Sequence, residues 1–134
     1  MIVLDTSAVI AIMLREPVAP RLLARLAADS DRVISTASYI EAGTVLAGRR
    51  RDPTGAILDI EAFLANFGIA LRPVDETQAR IALQARIRYG RGMGHGGVLN
   101  YGDAFSYALA KILNAPLLYV GQDFATTDIK SALD

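Results

Sequence analysis

What the 134-residue sequence lacks excludes several classes of protein. It has no cysteine, so neither a disulfide framework nor a thiolate metal site is possible. Its longest strongly apolar run, residues 8–14, is far shorter than the roughly 20 residues that a membrane span needs. It also lacks a basic start followed by an apolar stretch and a cleavage site, so no secretory signal is predicted. These absences predict a soluble, cytoplasmic protein.

An excess of charge of either sign is missing as well. Lys and Arg together number 14, as do Asp and Glu, so the formal net charge is zero. The total charge therefore indicates no strong attraction to nucleic acid. Hydrophobic residues make up 52% of the chain and charged residues 21%, which is typical of a globular protein. We expect one folded domain spanning residues 1–134.

Apolar runs and helix-capping residues predict that strands alternate with helices. Strands are predicted over residues 1–4, 32–35, 69–72 and 116–120. Helices are predicted over residues 5–14, 17–28, 36–47 (ending at Gly48), 53–68, 75–89 and 100–113, with a Gly-rich loop over 90–99. This alternation favours an α/β fold, in which a small parallel sheet of four to five strands has helices on both faces. Ligands of such sheets bind beyond the carboxyl ends of the strands.

Four acidic residues stand alone in otherwise uncharged stretches of the chain. They are Asp5 in residues 1–14, Glu41 in residues 33–48, Asp103 in residues 92–110 and Asp123 in residues 112–127. A buried carboxylate must be paired, hydrogen-bonded or bound to a metal, and none of the four has a base in its own stretch. If they converge, their mutual repulsion is relieved by a divalent cation. Oxygen ligands indicate Mg²⁺ or Mn²⁺ rather than zinc.

Each isolated acid also has a local explanation. Asp5 can cap the first predicted helix, and Asp103 can form a cap together with Asn100 in the segment NYGD. Asp123 can be an ordinary turn residue. Glu41 is the hardest to explain in this way, because it lies in the middle of a predicted helix among apolar or small residues.

Basic residues give a weaker signal. His95 lies in the Gly-rich loop, where a surface histidine is a simpler interpretation than a catalytic base. The run Arg49–Arg51 and the arginines at 86, 88 and 91 could contact phosphates. Solvated helix ends, where positive charge is favourable to the helix dipole, are the simpler explanation of these arginines.

Four motifs, in order, resemble those of the PIN-domain ribonucleases, in particular the VapC-type toxins of bacterial toxin–antitoxin pairs. They are MIVLDTSAVIA, STASYIEA, GVLNYGDAFSYALAK and PLLYVGQDFATTDI, and together they extend over essentially the whole chain. The resemblance implies a PIN-like fold and a Mg²⁺-dependent site for hydrolysis of RNA phosphodiester bonds, with Mn²⁺ as the alternative ion. It implies that Asp5, Glu41 and Asp103 are catalytic and metal-binding, with Asp123 favoured over Asp128 as the fourth acid.

The resemblance also implies supporting residues and partners. Ser7 and Asn100 match polar positions that support the acids. Asp128 is expected to be an outer helper, a residue that supports the four acids from outside the metal-binding set. Glu41 or Asp123 is expected to orient or deprotonate the attacking water, which leaves 3′-hydroxyl and 5′-phosphate ends. The implied partners are a VapB-like antitoxin and, through the antitoxin only, operator DNA. A homodimer is a separate hypothesis, in which two copies of the Arg-rich segments offset the acidity of the site.

Two other classes of function remain as alternatives. A receiver-like signalling domain would need adjacent acids after the first strand and a late lysine, whereas the segment LDTS has one acid. A non-catalytic interaction domain would use the acids in structural roles only, and Mg²⁺ binding would distinguish it from a nuclease.

Overall fold

A computed structural model describes residues 1–133 and shows a parallel sheet between two layers of helices. The strands are β1 (Ile2–Leu4), β2 (Arg32–Ser35), β3 (Ile69–Arg72) and β4 (Leu117–Leu118). Their order in the sheet is β3-β2-β1-β4, and every neighbouring pair is parallel. The predicted α/β fold is confirmed, with four strands within residues 1–133.

Six helices surround the sheet within the same residues. They are α1 (Thr6–Met13), α2 (Ala19–Ala27), α3 (Thr36–Arg50), α4 (Pro53–Phe67), α5 (Glu76–Tyr89) and α6 (Tyr101–Leu113). Five of them begin with a side chain that accepts a hydrogen bond from a backbone N–H of the first turn, which stabilises a helix start. These capping residues are Asp5, Ser35, Asp52, Asp75 and Asn100. None of the helices within residues 1–133 combines the length and the hydropathy of a membrane-crossing segment.

The largest differences from the predicted bounds are at the end of α3 and in β4. Helix α3 continues through Gly48 to Arg50, because one glycine costs a helix only about 1 kcal/mol. Arg51 takes the left-handed conformation that ends the helix, with a φ of 52°. Strand β4 is shorter than the predicted 116–120, since the backbone N–H of Val120 donates to the Ser7 hydroxyl at 3.0 Å instead of to a neighbouring strand.

Alternating strand residues build a separate core on each face of the sheet. Ile2 and Leu4 pack into the cluster formed with helices α1 to α4, whereas Val3 packs into the cluster formed with α5 and α6. Successive side chains of a strand point to opposite faces, so both faces of β1 are buried. Because the strands are parallel, the carboxyl ends of β1, β2 and β4 lie at one edge, from which α1 and α3 begin.

Candidate active site

Asp5 lies at the carboxyl end of β1 and is buried, with 2% of its surface exposed. Its Oδ2 accepts hydrogen bonds from the backbone N–H of Ser7 at 3.0 Å and from the Ser7 hydroxyl at 2.6 Å. Its Oδ1 accepts a hydrogen bond from the hydroxyl of Ser106, on α6, at 2.6 Å. Burial raises the pKa of Asp5, while the hydrogen bonds from Ser106 and Ser7 act in the opposite direction. Asp5 therefore caps α1 through one oxygen and contacts α6 through the other.

Asp103 lies in the first turn of α6 and is also buried, with 8% exposed. It forms a reciprocal cap with Asn100: the Asp103 N–H donates to Asn100 Oδ1 at 2.8 Å, and the Asn100 N–H donates to Asp103 Oδ2 at 2.9 Å. Burial, together with the negative charges of Asp5 and Asp123, raises the pKa of Asp103 from 3.8 to about 7. Asp103 therefore shares a neighbourhood with two other acids.

Glu41 reaches this neighbourhood from α3. A Cβ built on Gly102 would lie 2.2 Å from Glu41 Oε2 and 2.8 Å from Oε1, so the carboxylate occupies the space above this glycine. Burial is the largest cause of the raised pKa of Asp5, and the negative charge of Glu41 adds a smaller contribution in the same direction. Glu41 is half-buried, and it meets α6 one residue before Asp103.

Asp123 completes the group from the loop that follows β4. Its carboxyl group lies close enough to that of Asp103 to add, through its charge and a side-chain contact, to the burial-driven rise in the pKa of Asp103. The structure thus brings together the four acids that stand alone in the sequence. None of the ion pairs formed within residues 1–133 includes any of the four. Their repulsion is not balanced by a neighbouring cationic side chain.

Two buried serines support this group and were not predicted from the sequence. The Ser38 and Ser106 hydroxyls lie 3.0 Å apart, and both side chains are essentially inaccessible. Ser106 follows Asp103 by three residues and Ser38 precedes Glu41 by three, so each shares a helix face with its acid. This spacing is the signal that could have identified them.

Asp128 forms its hydrogen bonds with two residues of α6 rather than with the four acids. Its carboxylate accepts hydrogen bonds from the Tyr107 hydroxyl and from Lys111 Nζ, the latter at 2.9 Å. These partners, the Tyr107 hydroxyl first, lower the pKa of Asp128. Lys111 follows Asp103 by eight residues, or about 12 Å along a helix axis. The described hydrogen bonds of Asp128 are therefore to residues four and eight positions after Asp103 on α6 and not to the four acids, and its role as an outer helper stays a prediction.

Four of the six predicted arginines are exposed, whereas Arg50 and Arg86 are half-buried. Arg50 pairs with Asp59 and donates from Nη2 to the Met13 carbonyl at 3.2 Å, so it joins α3 to α4 and α1. Nine residues separate it from Glu41 on the same helix, or about 14 Å. His95 is exposed in the Gly-rich loop, as expected of a surface histidine.

The donor chemistry of the four acids fits a hard divalent cation. All the donors are carboxylate oxygens, the ligand type preferred by Mg²⁺ and Mn²⁺. Within residues 1–133, no three acidic or histidine side chains are already positioned to share one ion. Asp5 and Asp103 are fixed by hydrogen bonds, so closing such a site requires movement of the half-buried Glu41 and Asp123.

Comparison with known proteins identifies the family. A family model described as the PIN domain matches residues 2–130. The chain belongs to the PIN domain family. It is 46% identical over 127 residues to Ribonuclease VapC of Mycolicibacterium smegmatis, an alignment that covers 95% of this chain and 96% of the relative.

Two solved structures share the fold of this chain. Mycobacterium tuberculosis VapC20, described as a Sarcin-Ricin loop cleaving toxin, has a TM-score of 0.76 and 19% identity, with 96% of each chain covered. A toxin-antitoxin complex from Klebsiella pneumoniae has a TM-score of 0.69 and 17% identity, with 96% of this chain and 93% of that chain covered. The prediction that this chain is a PIN-domain protein related to VapC-type ribonucleases is therefore confirmed. The comparisons do not favour a receiver-like domain or a non-catalytic domain.

Proposed function

We propose that this PIN-domain protein is a Mg²⁺-dependent endoribonuclease and the toxin of a toxin–antitoxin pair. The observation that carries the proposal is the convergence of four carboxylates, Asp5, Glu41, Asp103 and Asp123, with no base paired to them within residues 1–133. Relatives that carry the name ribonuclease, at 46% identity over nearly the whole chain, support RNA as the substrate.

The four acids divide into a fixed pair and a movable pair. Asp5 and Asp103 are buried and hydrogen-bonded, so they form the rigid part of the proposed metal-binding set. Glu41 and Asp123 are half-buried, and one of them orients or deprotonates the attacking water. A bound Mg²⁺ would lower the pKa of a coordinated water and would neutralise negative charge on the phosphate. Mn²⁺ is the alternative ion.

Cleavage of RNA by the purified protein tests this proposal. We expect cleavage with Mg²⁺, loss of cleavage in excess EDTA, and products with 3′-hydroxyl and 5′-phosphate ends. Full activity in EDTA, or a cyclic phosphate product, would contradict a metal-assisted attack by water. Asp123→Asn should lose activity and Asp128→Asn should keep it, since only the former contacts Asp103. The reverse result would make Asp128 the fourth acid.

An antitoxin is the proposed partner that silences the enzyme. A group of buried and half-buried acids without a base is complementary to a basic side chain, which a VapB-like antitoxin would insert. Co-expression of the chain with its genomic neighbour should suppress the new RNA 5′ ends that appear when the chain is expressed alone. Mapping those ends also identifies the RNA target. Contact with operator DNA is proposed through the antitoxin only.

A homodimer is the proposed assembly. Leu83 and Ile87 on α5 and Tyr101 on α6 are 62%, 56% and 71% exposed, and they line one groove of about 410 Å³. Large apolar side chains grouped on a surface are typical of an association site. Light scattering should give a dimer for the wild type and a monomer for Leu83→Glu, whereas a wild-type monomer would contradict the assembly. The single domain and the cytoplasmic location stay predictions.

A further inference from the structure

The two oxygens of the Asp5 carboxylate differ in the number of further hydrogen bonds that they can accept. Oδ2 accepts two hydrogen bonds, both from Ser7, at 3.0 Å and 2.6 Å. Oδ1 accepts one, from Ser106, at 2.6 Å. Each oxygen of an ionised carboxylate offers about two acceptor positions. Oδ2 is therefore saturated, and Oδ1 keeps one free position.

The hydroxyls of Ser38 and Ser106 form a directed chain that ends on this oxygen. The Ser106 hydroxyl has a single hydrogen, which it donates to Asp5 Oδ1, so the Ser38 hydroxyl must be the donor in the 3.0 Å contact between the two serines. Ser38 lies on α3 and Ser106 on α6, and both are buried at 1% and 0% exposure. The chain thus joins the helix that carries Glu41 to the helix that carries Asp103.

We propose that Ser38 and Ser106 are positioning residues that present Asp5 to a divalent cation through Oδ1 alone. The inference rests on the proposed function and deepens it, because it states which atom of which acid binds the ion. Ser7 blocks Oδ2 from one side, and Ser106 fixes the rotation of the carboxylate from the other. The fixed carboxylate loses no rotational freedom when the ion binds.

Calorimetric titration of the full chain with MnCl₂ and with MgCl₂ tests this role without relying on activity. Removal of a group that orients a metal ligand commonly weakens metal binding by about 10- to 100-fold. We expect at least a tenfold loss of affinity for Ser106→Ala, and a smaller loss for Ser38→Ala, in which the Ser106 hydroxyl remains. Ser131→Ala is the matched control, since within residues 1–133 the hydroxyl of Ser131 forms a hydrogen bond only with the Leu133 N–H, from which it accepts. It should bind the ions as the wild type does.

The outcomes separate this inference from the function on which it rests. Wild-type binding with unchanged affinity in both Ser106→Ala and Ser38→Ala would overturn the positioning role and leave the nuclease proposal standing. Absence of Mn²⁺ and Mg²⁺ binding by the wild type would overturn both. If Ser106→Ala does not fold, a crystal structure of the wild type with Mn²⁺ decides: ligation through Oδ1 supports the inference, and ligation through Oδ2 refutes it.

Discussion

Replacement of Gly102 by alanine should separate the activity of this protein from its stability. A Cβ at this position would lie 2.2 Å from Glu41 Oε2, whereas an ordinary van der Waals contact begins at 3.4 Å. The Glu41 carboxylate must therefore move by more than 1 Å. Because it is the end of a flexible side chain, it can move by rotation without disturbing the backbone of α3 or α6.

The expected effects on stability and on activity have opposite signs. Alanine is intrinsically favoured over glycine in a helix by at most about 1 kcal/mol, so Gly102→Ala should melt no lower than the wild type. A displacement of about 1 Å at a reacting group can cost on the order of 100-fold in rate. The Glu41 carboxylate must adjust when an ion binds, and the added Cβ removes the space above residue 102 from the positions open to it. We therefore expect cleavage to fall by up to about two orders of magnitude in a fully folded variant.

Gly48→Ala provides the matched control, because it introduces the same change in a helix where no atom lies within 4 Å of the new Cβ. The assay compares RNA cleavage rates at saturating Mg²⁺ with thermal unfolding of both variants. Wild-type activity in Gly102→Ala would refute the placement of Glu41 in the site. Equal loss of activity in both variants would show that the effect is not specific to the acids.

Three further predictions follow from the ionic and capping contacts. In EDTA the free energy of unfolding should fall as pH rises from about 4 to 7, because the folded state, with its raised Asp103 pKa, binds more protons than the unfolded state. Urea denaturation at several pH values should show a weaker pH dependence for Asp103→Asn than for the wild type. An unchanged pH dependence would contradict the raised pKa of Asp103. Tyr107→Phe should lower the free energy of unfolding by about 1 kcal/mol through loss of the contact with Asp128, measured by urea denaturation, while cleavage is kept. Arg50→Ala should destabilise the fold more than Arg49→Ala, since only Arg50 holds an ion pair with Asp59, and equal melting temperatures would contradict this.

Most of the fold was predictable because local signals and tertiary structure agree. Strand β2 and strand β3 have the predicted bounds, and five helix starts carry the side-chain caps that the sequence displays. The predicted end of α3 and the predicted length of β4 are wrong because one residue in each has two competing roles. Gly48 can end a helix or continue it, and Val120 can extend a strand or donate to Ser7. A tertiary contact decides the second case, and the sequence does not contain it.

The acids were predictable and the serines were not, for a physical reason. A lone carboxylate in an apolar stretch is conspicuous because its burial needs an explanation, whereas a lone serine can be buried with a single hydrogen bond. Ser106 acquires its significance only from Asp5, which lies 101 residues away in sequence. The choice between Asp123 and Asp128 likewise depends on tertiary contacts, since Asp123 acts on Asp103 whereas Asp128 binds Tyr107 and Lys111.

Capping and chemistry are compatible uses of the same acid here. Asp5 caps α1 with Oδ2, and Asp103 accepts the Asn100 N–H with Oδ2, so each has a second oxygen outside its cap. The N-termini of α1 and α6 add positive dipole ends beside these charges, which favours the ionised acids without a basic side chain.

Because Asp5 is both a helix cap and a proposed metal ligand, a test of the site needs a substitution that keeps the cap and removes the charge. Alanine at position 5 removes both the charge and the cap of α1, and loss of a cap costs about 1 kcal/mol, so reduced cleavage by Asp5→Ala would be ambiguous. Asparagine caps a helix as well as aspartate does, and its amide can donate to the Ser106 hydroxyl. Asp5→Asn should therefore keep the thermal stability of the wild type in EDTA and lose both Mn²⁺ binding and cleavage. A folded Asp5→Asn that still cleaves RNA at the wild-type rate would show that Asp5 is only a cap.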